Sequence, residues 1–178
     1  MAKTSISRAQ FLRGDYRGRD GIIRPPWSRA EHLFVEQCTR CDDCVKACPE
    51  GILKRGRGGF PQVDFSRGEC SFCQECQKIC RAPVFTPTSH RPWFHHIVIE
   101  AQCLTNQGVV CVACAEQCES SAIRFVARPG RVAQPQVSLS ACNGCGACYR
   151  PCPAGAIRFQ TSQPVPREQP SQRLEAYS

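Results

Sequence analysis

Sixteen cysteines in four blocks constrain this 178-residue chain more than any other feature. The last block reads Cys142-Asn-Gly-Cys145-Gly-Ala-Cys148-Tyr-Arg-Pro-Cys152-Pro153, that is C-x2-C-x2-C-x3-C-P. The spacing recurs at Cys38, Cys41, Cys44 and Cys48, followed by Pro49, and at Cys70, Cys73, Cys76 and Cys80. A looser version holds Cys103, Cys111, Cys114 and Cys118, and no cysteine lies outside a block. Disulfides fit this poorly: neighbouring thiols two residues apart would strain one another's bridges, and no secretory leader accompanies them. Zinc sites pair two C-x2-C units across a long gap, whereas here three cysteines share one loop and a fourth follows after three residues. One loop reaching three corners of a cube is what a [4Fe–4S] cluster needs. Sixteen thiolates suffice for four [4Fe–4S] clusters.

The spacers repeat as well. After Cys48-Pro49, Ile52-Leu53 leads through a glycine-rich turn (Gly56, Gly58, Gly59) to Val63 and Phe65, and then to Cys70. After Cys118, Ser121-Ala-Ile-Arg-Phe125 leads through Arg128-Pro-Gly-Arg131 to Val137 and Leu139, and then to Cys142. Strand, turn, strand and cysteine loop form the unit in both places. Ser121-Ala-Ile-Arg-Phe125 is echoed by Gly155-Ala-Ile-Arg-Phe159, an internal repeat. The predicted fold is α+β: two tandem bacterial two-cluster ferredoxin-like units. The expected boundaries are a basic arm (1–34), a first unit (35–85), a Pro-rich linker (86–95), a second unit (96–162) and a disordered tail (163–178). A short helix is expected from a capping box at Ser28-Arg-Ala-Glu31 through Phe34 and Val35 to Cys38.

In a two-cluster ferredoxin the fourth cysteine of each block ligates the other cluster. Sequential pairing of the blocks then gives four ligand sets. They are Cys38, Cys41, Cys44 and Cys80; Cys70, Cys73, Cys76 and Cys48; Cys103, Cys111, Cys114 and Cys152; and Cys142, Cys145, Cys148 and Cys118. The alternative is nested, joining the first block to the fourth. The strand–turn–strand spacers between blocks one and two, and three and four, favour the sequential scheme. Gly144, Gly146 and Ala147 would let amides approach sulfur. His32, His90, His95 and His96 are surplus to four cubanes and are expected at the surface or in the core. Seven residues separate Cys103 from Cys111, so residues 104–110 are an insertion beside the third site.

The net charge is +8. No run of five or six Lys and Arg and no groove- or strand-reading motif points to nucleic acid. A cluster with four thiolate ligands is itself negative, which accounts for nearby cations; an acidic docking partner is the other reading. The longest apolar runs, Ile97–Ile99 and Val109–Ala113, fall far short of the roughly 18 residues of a membrane span. Ser7-Arg-Ala-Gln-Phe-Leu-Arg13 approximates a twin-arginine export box, but Ala9 replaces the second arginine and no apolar stretch follows. The arm is therefore expected to be retained and the protein cytoplasmic, with Ile6, Phe11 and Leu12 forming either a docking element or part of a solvated tail. No spare thiolate, nucleotide-binding glycine loop or acid–base pair suggests an enzyme.

Outside the cysteines, several stretches carry a resemblance: Ile23-Arg-Pro-Pro-Trp-Ser28, Cys38-Thr-Arg-Cys-Asp42, Arg55-Gly-Arg-Gly-Gly-Phe-Pro61, Cys70-Ser-Phe-Cys73 and Ala141-Cys-Asn-Gly-Cys-Gly-Ala-Cys148. With them the chain resembles the NapF family of ferredoxin-type accessory proteins of periplasmic nitrate reductase systems, over nearly its whole length. The resemblance implies a cytoplasmic partner of the nitrate reductase catalytic subunit. That partner would bind the subunit before its export and assist its maturation by loading or reducing its iron–sulfur centre. The proline-rich tail has no counterpart in the resemblance. A competing expectation is an electron-transfer polyferredoxin in a quinol-to-nitrate-reductase chain.

Overall fold

The computed structural model describes residues 22–161. The export-like box, the apolar positions Ile6, Phe11 and Leu12, and the tail 163–178 lie outside the described residues. Short elements and long cysteine loops alternate. Helix α1 spans Glu31–Gln37 and α2 Asp43–Ala47. Strands β1 (Leu53–Arg55) and β2 (Pro61–Val63) follow, joined through a 3-10 turn at Arg57–Gly59, and then α3, Glu75–Lys78. Strand β3 is His95–Ile99 and a 3-10 turn covers Leu104–Gln107. Helix α4 (Ala113–Glu116) and strands β4 (Ile123–Arg128), β5 (Arg131–Val137) and β6 (Ile157–Thr161) complete the α+β chain.

The strands make three two-stranded antiparallel sheets. β1 pairs with β2 in the register Leu53↔Val63, and β4 with β5 in the register Ile123↔Val137. These are the two strand–turn–strand spacers. β3 pairs with β6, setting Ile97 opposite Phe159 and Ile99 opposite Ile157. In the first half the matching outer pairing shrinks to a single bridge, Ser28↔Phe85.

A four-fold repeat of local structure underlies this. Ile52, Val84, Ala122 and Ala156 each follow the fourth cysteine of a block by four residues, and each is almost fully buried. Their carbonyls accept amides of Asp64, Arg29, Ser138 and Glu100 at 2.7, 2.9, 2.7 and 2.8 Å. After three of the blocks the bend is the same tight turn, with Gly51, Ser121 and Gly155 donating back to the carbonyls of Cys48, Cys118 and Cys152. All three have positive φ (62°, 50° and 55°), which glycine tolerates freely and serine does not.

The expected capping box does not form. The helix starts at Glu31 with Ala30 at its N-cap and no side-chain cap. Ser28 Oγ donates instead to the Pro25 carbonyl at 2.7 Å, and the Glu31 carboxylate receives the Arg24 guanidinium, with Nε at 2.8 Å. The Ser28 amide is already held by the Pro25 carbonyl, and the Arg24 guanidinium offers the carboxylate two charged donors in a bidentate pair. Arg24 also lies over the Phe34 ring, which meets Phe85 edge-on.

Residues 86–95, expected to link the halves, are tied down at several points. Trp27 N–H donates to Pro92 C=O at 2.8 Å, and its indole donates to His90 C=O at 3.0 Å. The Trp93 indole donates to Arg24 C=O at 2.9 Å, and His95 opens β3 instead of ending a linker. Two apolar cores result. One gathers Ile97, Ala122, Ile123 and Ile157 with Cys114, Cys142 and Cys148. The other gathers Ile52, Phe65 and Trp93, and Tyr149 and Phe159 from the second half pack against it. Among the described residues no helix is long and apolar enough to cross a membrane.

Ile97 sits at the centre of the β3–β6 core and is 2% exposed. Ile97→Ala should cost about 2–5 kcal/mol of unfolding free energy, read from denaturant unfolding under anaerobic conditions.

Candidate metal centres

In three of the four blocks the loop is shaped by a pair of left-handed residues that bracket the second cysteine. They are Arg40 and Asp42 (φ 58° and 65°), Phe72 and Gln74 (55° and 67°), and Gly144 and Gly146 (80° and 87°). Each pair bends the backbone sharply on both sides of the middle cysteine. Four of the six are not glycine, and a left-handed L-residue costs on the order of 1–2 kcal/mol. Strain of that kind persists where the surrounding structure imposes it, and it gathers at functional sites. In the first two blocks a short helix then carries the third cysteine, Cys44 on α2 and Cys76 on α3. The third block builds its loop differently, with the 3-10 turn Leu104–Gln107 and α4 flanking Cys111.

The loops form four largely apolar recesses open to solvent, each lined by four thiols and with a volume that includes its open mouth. Cys38, Cys41, Cys44 and Cys80 share one of about 370 Å³ with Phe34, Pro61, Val84 and Phe85. Cys48, Cys70, Cys73 and Cys76 share one of about 340 Å³ with Pro26, Ile52 and Leu53. Cys103, Cys111, Cys114 and Cys152 line about 330 Å³ with Ile99, Phe125 and Ile157. Cys118, Cys142, Cys145 and Cys148 line about 290 Å³ with Ile97, Ala122 and Ile123. In each, three thiols come from one block and the fourth from its neighbour. The nested alternative, with Cys48 beside the fourth block, is not the arrangement of these recesses. No thiol is disulfide-bonded.

Two family models match the chain: a 4Fe-4S dicluster domain at residues 37–84 and a 4Fe-4S binding domain at residues 135–158. The ferredoxin-type protein NapF of Escherichia coli strain K12 is 44% identical over 155 residues, covering 87% of this chain and 94% of that one. NapF of Haemophilus influenzae is 44% identical over 167 residues, covering 88% and 95%. The chain belongs to the NapF family of ferredoxin-type proteins. A more distant relative, the ferredoxin-type protein NapG of E. coli K12, is 29% identical over 151 residues, covering 73% of this chain and 65% of that one. No solved structure matches the chain.

As a NapF-type ferredoxin the protein binds [4Fe–4S] clusters, and the recesses fit that group. Four thiols line each, and apolar side chains such as Phe34, Ile52, Ile99 and Ile97 share the lining with a few polar residues. Among the described residues no three His, Cys, Asp or Glu side chains are drawn together tightly enough for a single metal ion. The C-x2-C-x2-C-x3-C spacing suits a multi-iron cluster better than zinc. Gly144 and Gly146 have neighbours where a Cβ would stand, His95 in one case and the Phe65 ring in the other. The fourth block's loop therefore needs glycine for close packing as well as for its φ.

Burial favours the neutral form of the most enclosed thiols. Burial, reinforced by neighbouring thiolates, pushes Cys44 and Cys76 up to about 12 and Cys114 to about 11, and drives Cys148 upward as well. Burial likewise pushes Cys70 up to about 12. Cluster insertion must therefore release protons, and the cluster's positive irons offset charges the empty cage would not tolerate.

Several supporting residues are invisible in the cysteine pattern. Thr105, buried within the insertion, places Oγ1 3.3 Å from Cys103 Sγ, and Gln134 of β5 holds its carbonyl at 2.9 Å. The Ala156 amide donates to Cys152 Sγ at 3.2 Å. Arg91 donates to the Cys142 carbonyl at 2.6 Å and pins the fourth loop. His95 and His96 are buried in the structure, and His95 Nε2–H donates to Gly144 C=O at 2.9 Å. A polar side chain contacting a loop carbonyl gives no periodic signal in sequence.

Burial moves His95 down from 6.5 to about 4. The folded state thus favours the neutral ring. Its contribution to stability is complete above about pH 6.5 and is lost as the pH falls toward 4. Across that window the wild-type melting temperature should fall more steeply than that of His95→Gln, which keeps an amide donor for Gly144; parallel pH profiles would contradict this origin.

Proposed function

We propose that the chain carries four [4Fe–4S] clusters in two tandem two-cluster ferredoxin-like units, each cluster held crosswise by three thiolates of one block and one of its neighbour. The ligand sets are Cys38, Cys41, Cys44 and Cys80; Cys70, Cys73, Cys76 and Cys48; Cys103, Cys111, Cys114 and Cys152; and Cys142, Cys145, Cys148 and Cys118. The observation that carries this reading is that all sixteen thiols line recesses, four to each, with none to spare. The four buried pegs Ile52, Val84, Ala122 and Ala156 support the tandem arrangement, because each anchors the same bend after a fourth cysteine.

The clusters supply one-electron redox chemistry when bound. The chain's own part is to hold, shield and tune. Apolar walls exclude water, the glycine and left-handed loops bring backbone close to sulfur, and Thr105 and the Ala156 amide offer hydrogen bonds to Cys103 and Cys152. Hydrogen bonds to ligand sulfur favour the more negative, reduced state.

In this reading the protein is not an enzyme. It is a cytoplasmic accessory protein of periplasmic nitrate reductase that binds the catalytic subunit before export and assists its maturation, by electron transfer or cluster loading. Support comes from the 44% identity to NapF proteins over most of both chains. Neither nucleic acid nor a membrane span enters this reading.

Anaerobically purified protein should contain equal iron and acid-labile sulfide, enough for four cubanes, and should co-purify with the unexported catalytic subunit. Normal cluster content in that subunit when this protein is deleted would contradict the maturation role. Reduction by a membrane quinol system on a catalytic timescale would favour the electron-transfer role instead. Thr105→Val should lower the midpoint potential of one cluster while leaving the iron content unchanged; unaltered potentials would remove Thr105 from the tuning set.

A further inference from the structure

The two halves are joined through their metal loops. The Cys70 amide, in the first half, donates to the Cys145 carbonyl, in the second, at 2.9 Å. Beside that bond Phe65, at the end of the β1–β2 spacer, lies flat against Phe159 with ring centroids 4.6 Å apart. Gly146 packs against the Phe65 ring so closely that a Cβ there would collide with it. Trp93 and His95 close the other sides, at 5.9 and 6.1 Å from Phe65. This is a built junction of buried aromatic rings, one backbone hydrogen bond and an obligatory glycine.

The neighbours of the remaining sites are equally definite. Helix α2, which carries Cys44, packs on α3, which carries Cys76. Cys114 of the third block shares one buried core with Cys142 and Cys148 of the fourth. Among the described residues, the one cysteine-to-cysteine backbone bond between the halves runs from the second recess to the fourth.

We infer that the four cluster sites form one continuous array in the order first, second, fourth, third, with the Cys70–Cys145 contact as its central link and Phe65 and Gly146 as the residues that position it. The array rests on the ligand assignment proposed above. Its order differs from chain order because the second half docks by its last block. The sites of Cys38 and Cys103 become the two ends, and the sites of Cys70 and Cys142 the inner pair. A chain of two separate ferredoxins on a string would have no such inner pair.

The test uses the full-length, anaerobically purified protein, reduced with dithionite and observed by electron paramagnetic resonance. The double variant Cys41→Ala/Cys111→Ala removes the two end sites, and Cys73→Ala/Cys145→Ala removes the two inner ones. The first should retain the broadened spectrum of two magnetically coupled clusters; the second should show two simple, uncoupled signals. Uncoupled signals in the first, or coupled ones in the second, overturn the order. Iron analysis separates this from the assignment beneath it. Half the wild-type iron with the wrong coupling pattern refutes the array alone, and undiminished iron refutes the ligand sets and the array together. Where a variant fails to load, amide hydrogen exchange of the wild-type holoprotein decides. The Cys70 amide should exchange slowly and lose that protection in Gly146→Leu, whose side chain would push Phe65 away. Fast exchange in the wild type, or unchanged protection in the variant, overturns the junction.

Discussion

Everything in this structure answers to the crowding of sixteen thiols into one small chain. Four thiolates cannot share a largely apolar recess as bare charges. Iron bound to the sulfur would offset that charge. Among the described residues regular structure is sparse: three two-stranded sheets and four short helices frame the cysteine loops. The loops accept left-handed backbone at Arg40, Asp42, Phe72 and Gln74, where the chain bends around the second cysteine of its block. The apolar pegs at Ile52, Val84, Ala122 and Ala156 are buried at the same place after each block and anchor the bend there.

Much of this was legible from residue spacing, since local patterns fix local structure. The two spacers read as strand, turn and strand became β1–β2 and β4–β5. The echo between residues 121–125 and 155–159 became matching bends, with Ser121 and Gly155 at equivalent left-handed positions. Family membership was legible in the stretches between the cysteines, where the block pattern alone would have indicated only a ferredoxin of several clusters.

What escaped the sequence depends on contacts between distant residues. Ser28-Arg-Ala-Glu31 has the form of a capping box, but Arg24, seven residues before Glu31, claims the carboxylate. The left-handed positions were marked by glycine only in the fourth block; at Arg40 or Gln74 nothing in the residue type announces them. Residues 86–95 had the composition of a linker, yet Trp93 and His95 are buried parts of the junction. The docking of Phe65 on Phe159 and of Cys70 on Cys145 leaves no periodic trace, because each is a single long-range encounter.

The crosswise use of the fourth cysteine is the claim on which the cluster count, the tandem units and the array all stand. An anaerobic crystal structure with anomalous data at the iron edge tests it directly. Cys48 Sγ should be bonded to the cluster that holds Cys70, Cys73 and Cys76, with Cys80 completing the cluster of Cys38, Cys41 and Cys44. Cys48 bonded within its own block, or to a cluster of the fourth block, would contradict the account.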